Sequence, residues 1–98
     1  MGKGTSFNQY LMEELRNPRT ACRFISDAIS QGDPDYLKTA LGDIVKAYGV
    51  GNIAMGTGIS RQSIYKMFAK NGNPTYKSLV AILDYLGLEL NVKSKSIR

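Results

Sequence analysis

The spacing of apolar residues along the chain predicts a series of short helices. Apolar side chains recur at helical intervals over residues 7–15, 21–29 and 36–45, which is typical of helices with one buried face. Two more stretches with this spacing follow, at about residues 60–69 and 79–86. The predicted fold class is therefore all-α.

Residues that start or interrupt helices place the first boundaries. Asn17-Pro18 separates the first two helices, because a residue that precedes proline is disfavoured in the helical conformation. Asp33-Pro34-Asp35 begins the third helix: an aspartate can cap free N–H groups, proline suits the first helical position, and a carboxylate favours the positive end of the helix dipole. We expect this helix to reach about Tyr48.

The C-terminal part of the chain predicts a last helix and a strand. Asn73 or Thr75 is expected to cap the helix, and Gly87 to end it. Residues 88–93 then alternate apolar and polar side chains with a period of two, which is typical of a strand.

Length and composition indicate one folded domain. A chain of 98 residues, 43% of them apolar, can bury one modest core. Residues 1–6 are predicted to be disordered and residues 7–98 to form the domain. No apolar run approaches the roughly 20 residues that span a bilayer, and the N-terminus lacks the apolar stretch of a secretory signal. These features predict a cytoplasmic protein.

The residues that most often carry chemistry are scarce. The chain contains no histidine, which removes Ser-His and Cys-His nucleophile pairs and the commonest metal ligand. Its one cysteine, Cys22, can form neither an internal disulfide nor a zinc site by itself, and its place in an apolar helical pattern predicts a small buried side chain. We expect no enzymatic activity, no metal and no cofactor.

The net charge of +5 is concentrated in one segment. Residues 44–83 contain no Asp or Glu, and the remainder of the chain is neutral. The five basic residues of this segment are Lys46, Arg61, Lys66, Lys70 and Lys77. A positive field confined to one stretch attracts a polyanion such as nucleic acid. An ordinary basic surface would carry the same charge, so a motif within this segment must decide between a nucleic-acid partner and an ordinary surface.

That motif spans residues 51–69 and predicts a helix-turn-helix. Two short helices that cross steeply need a small residue at the crossing, which is Ala54, and a turn residue that tolerates positive φ, which is Gly58. Ser60 can cap the second helix, the recognition helix of residues 60–69. Four side chains are expected to fill the space between the helices: Ile53, Ile59, Ile64 and Met67.

Helical geometry then predicts which side chains face outward. The predicted base-reading residues are Arg61, Gln62, Tyr65 and Lys66, because arginine pairs with guanine, glutamine with adenine, and tyrosine can pack on a thymine methyl. The predicted phosphate contacts are Asn52, Ser60, Ser63, Lys70, Asn71, Asn73 and Lys77. The alternative for each is a solvated helix face, and for Asn71 and Asn73 a role in shaping the turn.

Several motifs together carry a resemblance to a known family. They are Phe7-Asn8-Gln9-Tyr10-Leu11 with Glu14-Leu15, Gly32-Asp33-Pro34, Ala40-Leu41-Gly42-Asp43-Ile44-Val45, Thr57-Gly58-Ile59-Ser60-Arg61-Gln62-Ser63-Ile64-Tyr65-Lys66, Gly72-Asn73-Pro74-Thr75 and Leu86-Gly87-Leu88. Over residues 7–92 the chain resembles the short HigA-type antidote proteins of bacterial toxin–antitoxin systems. The resemblance implies a five-helix, phage-repressor-like (lambda-repressor-like) domain that neutralises a toxin and represses its own operon, with the reading helix at residues 60–69. Gly51 departs from the family, because many relatives have a more polar residue there.

Three functional hypotheses follow. The first is an antitoxin and autorepressor with a RelE-type toxin as partner. In this hypothesis residues 7–15 form a helical extension outside the five-helix core, which either contacts the toxin or packs on its own domain. The second is a stand-alone phage-type transcriptional repressor. The third, a small enzyme or RNA-binding adaptor, is disfavoured by the missing histidine, phosphate loop and aromatic platforms. For a repressor we expect a homodimer on an inverted-repeat operator in double-stranded DNA, with the tail strands of the two copies paired.

Overall fold

Six helices make up the part of the chain that the structure describes. The computed structural model describes the backbone of residues 3–95 and the side chains of residues 9–95. The helices are α1 (Lys3–Leu15), α2 (Pro18–Ser30), α3 (Pro34–Tyr48), α4 (Val50–Thr57), α5 (Arg61–Met67) and α6 (Tyr76–Tyr85). The all-α prediction is confirmed for these residues. None of these helices is both long and apolar enough to cross a membrane.

Helices α2, α3 and α6 start at the residues that the sequence indicated as an interruption or as caps. The side-chain oxygen of Asn17 accepts a hydrogen bond from the Arg19 N–H at 2.9 Å, and Pro18 is the first residue of α2. Asp33 accepts from the Asp35 N–H at 3.0 Å and begins α3. Of the two possible caps of the last helix, Thr75 takes the role, because its hydroxyl accepts from the Ser78 N–H.

One apolar core joins all six helices. Helix α2 packs along α3, α1 lies against both, and α4 lies between α3, α5 and α6. The fully buried large side chains at the centre of this core are Leu15, Ile44, Ile53, Ile64 and Ile82. These central residues come from α1, α3, α4, α5 and α6. Removing any one of these five helices would therefore open the core to water.

The end of α1 is tied to the end of α3 by two hydrogen bonds. Arg16 Nε donates to the Ala47 carbonyl at 2.9 Å, and the Tyr48 hydroxyl donates to the Arg16 carbonyl at 2.6 Å. Leu15 is completely buried, and Leu11 and Met12 pack against the core. The predicted helical extension therefore packs on its own domain.

Tyr48 links α1 and α3 to α6 and gives the fold a pH dependence. Its ring meets the Tyr85 ring edge-on, with centroids 6.3 Å apart. Burial raises the pKa of the Tyr48 phenol above 10.0, repulsion from a charged Tyr85 raises it further, and Arg16 partly offsets both. Since the folded state holds this proton more tightly than the unfolded chain, its contribution to stability is complete below pH 10.0. That contribution is lost as the pH rises through the raised pKa.

We therefore expect the free energy of unfolding to fall more steeply with pH in the wild type than in Tyr48→Phe. The measurement is the urea midpoint of both proteins at several pH values from about 8 to about 11, which brackets the ordinary tyrosine pKa. All other titrating groups are shared, so the contributions that do not depend on Tyr48 cancel in the comparison. If the free energy of unfolding fell equally with pH in the two proteins, the pH dependence would not come from Tyr48.

Three predictions differ from the structure. Residues 88–93 form no strand within the described part, because no second strand is present there to pair with them and a lone strand leaves its backbone groups unpaired. Cys22 is exposed, since the buried stripe of α2 runs through Ala21, Ile25 and Ala28 and Cys22 lies about one-third of a turn away. Residues 3–6, predicted to be disordered, form the first turn of α1, because each residue added to a formed helix gains a hydrogen bond. Residues 1 and 2 lie outside the described residues.

Candidate nucleic-acid interface

Helices α4 and α5 are joined by a tight turn of three residues. The turn is possible because Gly58 has a φ of +78°, a left-handed conformation that glycine adopts without strain. The Gly58 N–H donates to the Ala54 carbonyl at 2.9 Å and closes the end of α4. Ser60 caps α5 by accepting from the Ser63 N–H at 3.1 Å. Gly58 and Ser60 therefore have the local roles that their places in the sequence predict.

The inward side of this helix pair is apolar and buried. Ile53 and Ile64 are fully buried, Met67 is nearly so, and Ile59 packs against the core from the turn. Helix α4 contacts α6 at Gly56, where a Cβ atom would collide with the Tyr85 ring. Because the buried sides are fixed in this way, the opposite side of α5 must face solvent.

All eleven predicted DNA-contacting side chains are exposed. They are Asn52, Ser60, Arg61, Gln62, Ser63, Tyr65, Lys66, Lys70, Asn71, Asn73 and Lys77. The exposure agrees with the predicted outward face, while the division into base-reading and phosphate-contacting residues stays a prediction.

Five of these residues gather around one open cavity of about 700 Å³ between the end of α5 and the start of α6. They are Ser63, Lys66, Lys70, Asn71 and Asn73, and they share the cavity with Thr75 and Ser78. Two lysines and five hydroxyl or amide side chains give this surface the positive charge and hydrogen-bond donors that can bind phosphate. Tyr65 lies instead at a second groove, between α3 and α5, and Lys77 is not part of either lining.

Arg61 lies over the backbone of α4 at Gly51. A Cβ atom built on Gly51 would lie 2.8 Å from Nη2 of Arg61 and 3.3 Å from its Cζ. The absent side chain at position 51 therefore leaves the space that the guanidinium occupies. A larger side chain at position 51 would displace the Arg61 guanidinium.

Asn52 has a structural contact in addition to its predicted role. Its side-chain amide donates to the Tyr48 carbonyl at 2.7 Å, which satisfies one of the free carbonyls at the end of α3. Asn52 thereby joins α3 to α4, while its side chain stays exposed to solvent.

Comparison with known proteins places this chain in a family. The sequence model of the probable addiction module antidote protein family matches residues 5–94. The chain belongs to this family. A relative from Haemophilus influenzae, an uncharacterized protein of strain Rd, is 28% identical over 81 residues, which cover 83% of this chain and 84% of that protein. No solved structure matches the chain.

Membership of the antidote family indicates a regulatory role and implies a toxin partner of some kind. The family name points to a protein that is not an enzyme. Among the described residues of this antidote-family protein, no group of three or more His, Cys, Asp or Glu side chains could hold a metal ion.

One side chain of the antidote-family protein was missed by the sequence analysis. Lys38 of α3 reaches the segment after α5 and donates to three of its backbone carbonyls. No local signal marks this lysine, because a single lysine near the start of a helix is typical of a solvated surface and its partners lie 31 to 34 residues away.

Proposed function

We propose that this protein is a sequence-specific DNA-binding antitoxin that represses its own toxin–antitoxin operon and neutralises a cognate toxin. The observation that supports the DNA-binding part is the exposed side of α5, a capped helix whose other side is buried. This side carries Arg61, Gln62, Tyr65 and Lys66 and lies within the acid-free segment of charge +5. Family membership supports the antitoxin part.

In this proposal α4 and α5 form a helix-turn-helix, and the N-terminal half of α5 enters the major groove. Arg61 donates two hydrogen bonds to a guanine, and Gln62 pairs with an adenine. Tyr65 packs on a thymine methyl or donates to a phosphate, and Lys66 reaches a base edge or the adjacent backbone. For this contact Arg61 must swing from its place over Gly51 into the groove, which its exposed, flexible side chain allows.

Phosphate contacts hold α5 in register. Lys70, Asn71 and Asn73 lie at the cavity between α5 and α6, where one stretch of DNA backbone would pass. Ser60, Ser63, Asn52 and Lys77 would contact the backbone on either side. Because phosphates are contacted irrespective of sequence, these residues contribute affinity and not discrimination.

A single helix-turn-helix covers little DNA, so the proposal includes a homodimer on an inverted repeat. Two copies related by a twofold axis would place their α5 helices about 34 Å apart, one turn of DNA, in successive major grooves.

The antitoxin part requires a small basic toxin of the RelE type, encoded by an adjacent gene. The buried side of α1 is engaged with α2 and α3, so any toxin contact through α1 must use its exposed side, which carries Tyr10, Glu13 and Glu14. An adjacent toxin gene whose product copurifies with this protein would support the antitoxin. Its absence would favour the stand-alone repressor.

The DNA-binding part is tested by mobility-shift titration on the region upstream of the protein's own gene. We expect Arg61→Ala to weaken binding to this operator DNA by about 1–3 kcal/mol and to bring it closer to binding of scrambled DNA of the same composition. Lys70→Ala, which also removes one positive charge, is the matched control. It is expected to weaken binding to both DNAs equally and to lower the salt slope by about one.

The titrations are run at about 50 mM and about 200 mM salt, because a phosphate-contacting protein loses affinity steeply over this interval. Wild-type protein with no preference for the operator at either concentration would overturn the proposal of a sequence-specific repressor. If Arg61→Ala and Lys70→Ala changed the ratio of operator affinity to scrambled-DNA affinity equally, Arg61 would not be a base-reading residue.

A further inference from the structure

The ammonium of Lys38 is held by three backbone carbonyls of one turn. Its Nζ lies 2.8 Å from the carbonyl oxygen of Ala69, 3.1 Å from that of Lys70 and 2.8 Å from that of Gly72. A lysine ammonium has three N–H donors, so all of them are used within the chain. The three acceptors belong to a turn that the Gly72 N–H closes by donating to the Ala69 carbonyl at 3.0 Å.

This turn begins where α5 ends and lies outside the regular helices. Helix α5 ends at Met67, and the next regular element starts at Tyr76. Carbonyls after a helix C-terminus carry partial negative charge and lack helical partners. Lys38 supplies the partner from α3, the helix that also packs on α1, α2 and α4. The turn is thus anchored to the rigid body of the domain through one side chain.

The side chains that leave this turn are those proposed to contact phosphate. Lys70 and Asn71 belong to the turn itself and Asn73 follows it, and all three line the cavity between α5 and α6. Fixing the carbonyls of residues 69, 70 and 72 fixes the direction in which these side chains leave the backbone. The ammonium also offsets three carbonyl dipoles that would face a polyanion at close range.

We propose that Lys38 is a positioning residue of the DNA-binding surface, which acts by holding the turn of residues 69–72 in the shape that lets Lys70, Asn71 and Asn73 contact one stretch of phosphate backbone. This inference rests on the proposed DNA-binding function and adds a residue to it. Lys38 itself makes no phosphate contact in this arrangement, because its donors are already taken.

The test is a double-mutant cycle of Lys38→Met and Lys70→Ala, measured by mobility shift on operator and scrambled DNA. Methionine keeps the apolar stem of the side chain and removes the ammonium. We expect Lys38→Met to weaken binding to both DNAs about tenfold and to lower the salt slope by about one. In this background Lys70→Ala should have almost no further effect, since its contact is already lost.

Two further variants separate positioning from charge and from folding. Lys93→Met removes the same charge from the exposed tail and should leave the DNA affinity and the effect of Lys70→Ala as they are in the wild type. Lys38→Arg keeps the charge, but its planar group does not match three carbonyls that converge on one nitrogen, so binding should fall between wild type and Lys38→Met. Urea midpoints show whether each variant is folded under the binding conditions. If Lys38→Met is unfolded, Lys38→Arg takes its place in the double-mutant cycle.

The outcomes distinguish this inference from the function on which it rests. Wild-type protein that fails to bind either DNA overturns the proposed function and the role of Lys38 together. Wild-type binding with independent, additive effects of Lys38→Met and Lys70→Ala overturns the role of Lys38 alone. Loss of the Lys70→Ala effect in the Lys38→Met background supports it.

Discussion

Replacing Gly72 with alanine is expected to lower the free energy of unfolding by about 3 kcal/mol. A Cβ atom at this position would collide with the carbonyl oxygen of Lys66, and it would lie 3.0 Å from the Lys66 carbonyl carbon and 3.2 Å from that of Met67. All three atoms belong to the backbone of the last turn of α5, which cannot rotate away as a side chain can. The turn of residues 69–72 must therefore move, and the Lys38 hydrogen bonds move with it.

Gly42→Ala is the matched control and should change stability in the opposite direction. Gly42 lies inside α3, where its Cβ atom would meet the Phe68 ring at an ordinary contact distance of 3.7 Å. Glycine within a helix is less favourable than alanine by about 0.5–1 kcal/mol, so this change should stabilise the protein. Urea unfolding of both variants measures the two effects. A Gly72→Ala protein that is no less stable than the wild type would show that the collision at position 72 is relieved without cost.

The helix boundaries were predictable because they depend on local chemistry. Asn17, Asp33 and Ser60 cap the helices that follow them through hydrogen bonds that span two or three residues. Gly58 adopts the left-handed conformation that its turn requires. Such interactions involve only neighbours along the chain, so the sequence contains all the information that decides them.

Burial was predicted less well at the edges of the apolar stripes. Tyr36 and Ile29 match the helical period of their stripes, yet they are 49% and 53% exposed. Tyr36 lies in the first turn of α3 and Ile29 in the last turn of α2, so each is at an end of its helix. Periodicity identifies the side of a helix that faces the core, but how far the core extends along that side depends on how the helices pack.

For the candidate site, the outward face of α5 could be predicted and its neighbours could not. Once Ile64 and Met67 are assigned to the core, helical geometry leaves Arg61, Gln62 and Tyr65 outside. The contact of Arg61 with Gly51 and the contacts of Lys38 with the turn join residues far apart in the sequence. They arise only after α3, α4 and α5 have packed, so no local pattern indicates them.

Replacing Leu15 with alanine should lower the free energy of unfolding by about 3 kcal/mol, within the range for deletion of a buried leucine side chain. Leu15 is completely buried and belongs to the same core cluster as Ile44 and Ile53. The substitution leaves a cavity where α1 meets α3, close to the hydrogen bonds between Arg16 and the end of α3. The urea midpoint should fall with little change in the denaturant slope, because the same surface is exposed on unfolding.

Tyr10→Ala is the control on the same helix, since Tyr10 is 60% exposed and its removal should change stability by no more than about 0.5 kcal/mol. A large loss from Leu15→Ala with a small one from Tyr10→Ala means that α1 is a permanent part of the domain, and that a toxin would have to bind its exposed side. Small losses from both would mean that α1 detaches in solution and that its apolar side is available to a partner. The hydrogen bonds of Arg16 and Tyr48 and the complete burial of Leu15 favour the first result, because a detached α1 would leave the core open at its centre.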